Sequence, residues 1–172
     1  QTLAQALAPR IRVNAIGPLR VTRALLGNLH DGSRVAIVTS RMGSITDNSS
    51  GAYYGYRLSK TAVNMLGMTL ARDLERRGIA VALLHPGMVA TDMTGRRGVS
   101  VEHAAGGLIQ RIDELDLDNT GSFWHAQGER LETVLSALAR RDAVTAEAFA
   151  AEVDAVGGAG TFAALAERHL AG

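Results

Sequence analysis

The sequence predicts an α/β fold, a parallel sheet flanked by helices and followed by a helical tail. Three observations predict it. Two short apolar runs, Val35–Ser40 and Ile79–Leu84, are bounded by turn residues and read as strands buried on both faces. A long segment rich in Leu, Met, Ala and Arg, Tyr53–Arg77, lies between them and reads as a helix. The order strand, helix, strand, helix, strand implies right-handed crossovers and parallel pairing.

The elements follow in chain order. Residues 2–8 and 13–29 read as helical, with Leu3, Leu7, Val13, Ile16, Val21, Leu25 and Leu29 recurring at helical spacing. Pro9 and Gly17-Pro18 interrupt that pattern and predict a bend or a break. Asn28–Gly32 punctuates the end. Residues 41–52 are rich in Gly, Ser, Asn and Asp and read as a loop. Gly78 stands where a helix-ending glycine belongs, and Pro86-Gly87 stops the second strand. Val99–Leu115 reads as a helix with Ser100 as its N-cap and Glu102 just inside. Gly121–Trp124 reads as a short third strand. Residues 1–130 thus form the sheet-bearing part. Residues 131–172 are Ala- and Glu-rich and predict helices around 131–140, 145–156 and 161–170.

Composition narrows the function. The chain has 172 residues, which suits one domain. A net charge of +1 offers no field to recruit nucleic acid or an anionic membrane. The absence of cysteine removes disulfides and thiolate metal sites, and favours a reducing, cytoplasmic setting. No apolar run reaches the roughly 18 residues of a membrane span. His30, His85, His103, His125 and His169 fall at no metal-ligand spacing, so no metal is expected. Asp113, Glu114, Asp116 and Asp118 read as a solvated loop, since the calcium-loop spacing is absent. No serine sits in the G-x-S-x-G elbow of a hydrolase.

The chemistry concentrates in the middle. Tyr56 and Lys60 are four apart on the long helix and share a face. Tyrosine is a poor acid at neutral pH, its ordinary pKa being about 10, and a neighbouring ammonium favours the phenolate. The pair therefore suits proton donation to a carbonyl oxygen. By itself the spacing also fits a surface pair with a snorkelling lysine. Context adds weight. Ser40 ends one buried strand and His85–Thr91 follows the next, and open α/β sheets bind ligands at such carboxyl ends. Ser40 can bond a substrate oxygen, and Thr91 a cofactor amide.

With these motifs in order, the sequence resembles the short-chain dehydrogenase/reductase family, in the branch of the C-factor and Sniffer-type carbonyl reductases. The matching stretches are VNAIGPLRVTRALL (13–26), VAIVTSRMGSITDNSSGAYYGYRLSKTAVNM (35–65), GIAVALLHPGMVATDMTG (78–95) and NTGSFWHAQGERL (119–131). The resemblance implies a Rossmann-like fold and hydride transfer between NAD(P)H and a small carbonyl or alcohol substrate, with NADP slightly favoured over NAD. It implies Tyr56 as general acid/base and Lys60 as the group that lowers its pKa and bonds the nicotinamide ribose. It implies Ser40 as the carbonyl-orienting hydroxyl, chosen over Ser44 by the offset to Gly43, and Asn14 as holder of a water linked to Lys60. Pro86, Gly87, Met88, Val89 and Thr91 would border the nicotinamide. The helices near 13–29 and 53–77 would build a homodimer or tetramer interface.

The family's opening strand and its T-G-x-x-x-G-x-G phosphate turn have no counterpart in these residues. On the resemblance, the chain corresponds to the part after the fourth of seven strands. Strand Val35–Ser40 should then lie at an apolar edge that calls for a cover. Two readings follow. One is a carbonyl oxidoreductase. The other is a catalytically inactive, truncated relative that acts as a dimerising interaction or signalling protein.

Overall fold

A computed structural model describes residues 3–132. The expected tail helices at 145–156 and 161–170, and nearly all of that at 131–140, lie outside them. The elements are helix α1 (Leu3–Ile11), a π-helical turn (Arg12–Ile16), α2 (Gly17–Leu25), β1 (Arg34–Val38), α3 (Tyr54–Glu75), β2 (Ala80–His85), α4 (Val101–Asp113), β3 (Phe123–His125) and β4 (Arg130–Leu131). The sheet order is β1-β2-β3-β4. β1 pairs with β2 and β2 with β3 in parallel, as the sequence predicts. β4 is antiparallel to β3 and makes the sheet mixed. Its two residues are too few to leave a sequence pattern, and Leu131, expected in a helix, belongs to it.

The unbroken apolar character of β2 has a direct cause. Ile79, Val81 and Leu83 face one side and pack with Val63, Ala71 and Leu74 on or beside α3. Ala80, Ala82 and Leu84 face the other side, with Leu115 and the partly buried Leu108 and Ile112. Burying each large side chain on this strand contributes about 1.5–3 kcal/mol. A strand covered on both faces leaves no position for a polar residue until His85, at its end.

Of the bend or break predicted at Pro9 and Gly17-Pro18, no break occurs; the helix is distorted by a π-helical turn instead. Pro9 lies inside α1, which forgoes one hydrogen bond there. Pro18 enters the first turn of α2. The turn ahead of it widens instead: the Gly17 amide donates to the Arg12 carbonyl, five residues back. A normal α-turn would set the Pro18 ring against the Asn14 carbonyl, and the wider turn avoids that. The chain is therefore helical without interruption through Leu25.

The other boundaries follow their signals. Ser100 caps α4 by accepting from the His103 amide at 3.1 Å. Gly78, after α3, takes φ +67°, and a β-carbon there would lie 2.8 Å from the Asp31 carboxyl carbon. Among the described residues nothing pairs with the outer edge of β1. A groove of about 530 Å³ runs beside it, lined by Val21, Leu25 and Val38, each more than half exposed. Among the described residues, the edge expected from the sequence is uncovered.

Leu83 is fully buried between the sheet and α3. Replacing it with alanine is expected to lower stability by about 2–5 kcal/mol, read from urea unfolding.

Candidate active site

The carboxyl ends of β1 and β2 and the first turns of α3 converge on a crevice of about 510 Å³. Ser40, Tyr56, Lys60, Pro86, Gly87, Val89 and Thr91 all line it. Sequence spacing put these residues at two strand ends and one helix, and the fold brings them to one place.

Each is positioned by a local device. Ser40 caps a 3₁₀ turn, Arg41–Gly43, by accepting from the Met42 amide at 3.2 Å. That turn lies hard against α3. A β-carbon on Gly43 would come within 2.6 and 2.7 Å of the backbone carbon and oxygen of Lys60, so only glycine fits. The Thr61 hydroxyl closes the contact by donating to the Gly43 carbonyl at 3.1 Å. Below it, the Thr39 hydroxyl donates to the Asn64 side chain at 2.6 Å. Tyr56 follows two consecutive left-handed residues, Ala52 (φ 57°) and Tyr53 (φ 53°). Such non-glycine backbone costs of order 1–3 kcal/mol per residue. The Arg57 guanidinium holds it by donating to the Gly51 and Ala52 carbonyls and the Ser50 hydroxyl.

The Lys60 ammonium lies 5.7 Å from the centre of the Tyr56 ring. It makes one long bond, 3.4 Å, to the Val38 carbonyl. Burial pushes its pKa below the ordinary lysine value. Among the described residues it is the one Lys or Arg side chain on the crevice wall.

Two expected residues stand outside. Asn14 lies in the π-helical turn and is bonded to the first turns of α3. Its amide donates to the Ser59 hydroxyl at 3.0 Å, which donates to the Tyr56 carbonyl at 2.8 Å. Met88 turns outward and is 62% exposed; its carbonyl accepts from the Val99 amide at 2.9 Å.

Sequence reasoning placed His85 at a strand end but missed its partners. His85 lines the crevice and meets the His125 ring edge-on, centroids 5.0 Å apart. The two are register partners on β2 and β3. Burial, and then the charges of His125, Arg41 and Lys60, push the His85 pKa down to about 4, while Glu129 opposes them. Arg41, next to Ser40, pairs with Glu129 in the turn before β4. No sequence signal reports contacts across 40 or 88 residues. The far wall was legible: Val101, Ala104, Ala105 and Leu108 line the crevice and recur at i, i+3, i+4 and i+7 on α4. Among the described residues, no three metal-binding side chains converge, and no helix is long and apolar enough to cross a membrane.

A crevice at the carboxyl ends of parallel strands β1 and β2 lies where open α/β sheets bind their ligands. Comparison with known proteins narrows the class. The family model for short chain dehydrogenases matches residues 2–101. The 1-hydroxy-2-glutathionyl-2-methyl-3-butene dehydrogenase of Rhodococcus sp. (strain AD45) is 47% identical over 128 residues, covering 72% of this chain and 57% of that protein. C-signal of Myxococcus xanthus is 43% identical over 125 residues, covering 71% of this chain and 75% of that protein. The solved NADPH-bound carbonyl reductase from chicken fatty liver superposes with a TM-score of 0.68 at 28% identity, over 77% of this chain and 58% of its own. The chain belongs to the short-chain dehydrogenase family of oxidoreductases. It spans a little over half the length of the first relative and of that reductase.

Two outcomes test this geometry. A His85 pKa of about 4 in the fold and 6.5 unfolded means the unfolded state binds the proton more tightly between those values. Stability is then full above pH 6.5 and falls as pH drops towards 4, by at most about 1.4 kcal/mol per unit. Urea midpoints across that range should show the slope, and His85→Phe should flatten it. Gly43→Ala should cost about 1–3 kcal/mol and shift the amide resonances of Ser40 and Lys60 together.

Proposed function

We propose that the protein is the catalytic portion of a nicotinamide-dependent carbonyl reductase, with Tyr56 as general acid/base. The observation that carries the reading is the convergence of Ser40, Tyr56 and Lys60 with the Pro86–Thr91 segment in one crevice.

The residues fit the nicotinamide and ribose end of the cofactor. Lys60 has donors to spare, since its one bond among the described residues is long. The Pro86-Gly87 turn presents backbone, and Thr91 adds a hydroxyl and an amide. Bound reduced nicotinamide supplies a hydride to the carbonyl carbon. Ser40 donates a hydrogen bond to the carbonyl oxygen and holds it. The Tyr56 hydroxyl delivers its proton to that oxygen as negative charge builds there. The Lys60 ammonium stabilises the phenolate that remains. Asn14, through Ser59, fixes the first turn of α3 at the height this transfer needs. NADP is favoured over NAD, in keeping with the NADPH held by the chicken reductase. The apolar wall of Met93, Val101 and Leu108 suits the hydrophobic part of a carbonyl or alcohol substrate. The Rhodococcus relative, by its name, oxidises a glutathionyl alcohol, which makes glutathione-conjugated alcohols the first substrates to assay.

A second reading has its own observation. Tyr54, Leu58 and Met65 form an exposed stripe on α3, and Val13 on the neighbouring π-helical turn is 72% exposed. Such a surface suits pairing with a second copy, and the relative C-signal carries a signalling name. On this reading the chain is an inactive dimerising module.

Carbonyl-dependent oxidation of NADPH by the chain is the expected outcome for a reductase. Tyr56→Phe should lower kcat/KM by about 10²–10⁴ with cofactor binding retained. Equal rates for wild type and variant would sink the assignment of Tyr56. Sedimentation should show a dimer that Met65→Glu dissociates, and a wild-type monomer would remove the dimerising module.

A further inference from the structure

We propose that His125, on β3, is a positioning residue: its ring sets where the Pro86-Gly87 turn stands. The inference rests on the reading of that turn as the border of a nicotinamide. It adds a residue from the neighbouring strand, behind the turn, that governs the border's height.

Three observations carry it. The first is a gap in the backbone bonding. The parallel ladder ends where the Ala126 amide donates to the His85 carbonyl at 2.8 Å. Among the described residues, the next backbone bond along the chain runs from the Val99 amide to the Met88 carbonyl at 2.9 Å. Pro86 has no N–H to give. Pro86 and Gly87 therefore lie between two anchors, and packing decides their position. The second observation is the ring that packs there. His125 is the register partner of His85 and meets its ring edge-on, centroids 5.0 Å apart. A β-carbon on Gly87 would lie 3.1 Å from His125 Nε2 and 3.3 Å from its Cε1. Gly87 takes φ +82°, so the turn rests on the ring with no side chain between them. One ring thus touches the residues on both sides of Pro86.

The third observation is that the ring is itself held. The Gln127 amide donates to His125 Nδ1 at 3.0 Å. A ring nitrogen that accepts carries no proton, so the neutral ring is protonated at Nε2, the nitrogen beside Gly87. The backbone around it is closed as well. The His125 amide donates to the Glu129 carbonyl at 2.8 Å, and the Gly128 amide to the His125 carbonyl at 2.9 Å. A ring tied through Nδ1 to a bonded turn presents its Nε2 edge at a fixed height. Through Gly87 it sets the depth at which a nicotinamide lies relative to Tyr56.

Two variants of the full chain separate this role from a merely structural one. His125→Asn keeps an acceptor for the Gln127 amide but withdraws the ring edge. His125→Phe keeps the ring edge but offers no acceptor. In the Asn variant the Gly87 and Met88 amide resonances should move while those of Gln127 and Glu129 stay. In the Phe variant Gly87 should remain near its wild-type position. The Asn variant should raise the KM for NADPH at least about threefold with kcat changed less, and the Phe variant should restore it. A Gly87 resonance unmoved in the Asn variant, or moved as far in the Phe variant, overturns the proposal. So does an NADPH KM that neither variant changes. A wild-type chain that oxidises no NADPH sinks the reductase reading, and the resonance comparison still decides the role of His125. If neither variant folds, the unmodified chain decides. Its imidazole nitrogen spectrum should show His125 protonated at Nε2, and its Cε1 proton should show a magnetisation-transfer contact with the Gly87 α-protons. Absence of either overturns the proposal.

Discussion

The site depends on the contact between Gly43 and the backbone of Lys60. It brings the turn after β1 within van der Waals distance of α3, with no side chain between them. Ser40 belongs to the turn, and Tyr56 and Lys60 belong to the helix. A hydroxyl on a strand end and a phenol on a helix thereby share one crevice, although they stand 16 positions apart in sequence. Thr61 and the Thr39–Asn64 bond hold the same junction from either side. The strained entry to α3 at Ala52 and Tyr53 is tolerated because Arg57 clamps it from within the helix.

The electrostatics follow from burial. Lys60 loses solvation as it reaches into the crevice, and its ammonium is less stable there than in water. His85 responds to the same enclosure and to the cations around it by staying neutral. The Arg41–Glu129 pair balances its own charge at the rim. Among the described residues, the crevice wall then holds one Lys or Arg side chain, Lys60, close to the tyrosine ring.

Much of this was legible in the sequence because it is periodic. The apolar runs at 35–38 and 79–84 showed the parallel strands. β2 is covered on both faces as expected. In β1 only Ile37 is buried and Val38 is exposed, because the outer edge of β1 has no strand partner among the described residues. The four-residue step from Tyr56 to Lys60 showed a shared helix face, and Gly43 marked Ser40 over Ser44. What escaped depends on register or on distance along the chain. His85 meets His125 only because β2 and β3 align those two positions. Arg41 and Glu129 meet across 88 residues. Pro9 and Pro18 read as breaks, since local rules penalise proline in a helix, yet a widened turn absorbed the second and a lost bond the first. Asn14, expected from the resemblance to hold a water linked to Lys60, donates to Ser59 across 45 residues.

That widened turn has a geometric consequence. Five residues at 12–16 occupy the arc that fewer α-helical residues would fill, so the turn acts as an inserted residue and rotates everything after it by about 100°. α1 can therefore aim one flank at α3, where Leu7 and Arg10 meet Gly55. α2 aims a different flank at β1, where Val21 and Leu25 line the groove. One continuous helix serves two partners lying in different directions. The phase difference between its halves is set by Pro18, a residue that touches no part of the chemistry.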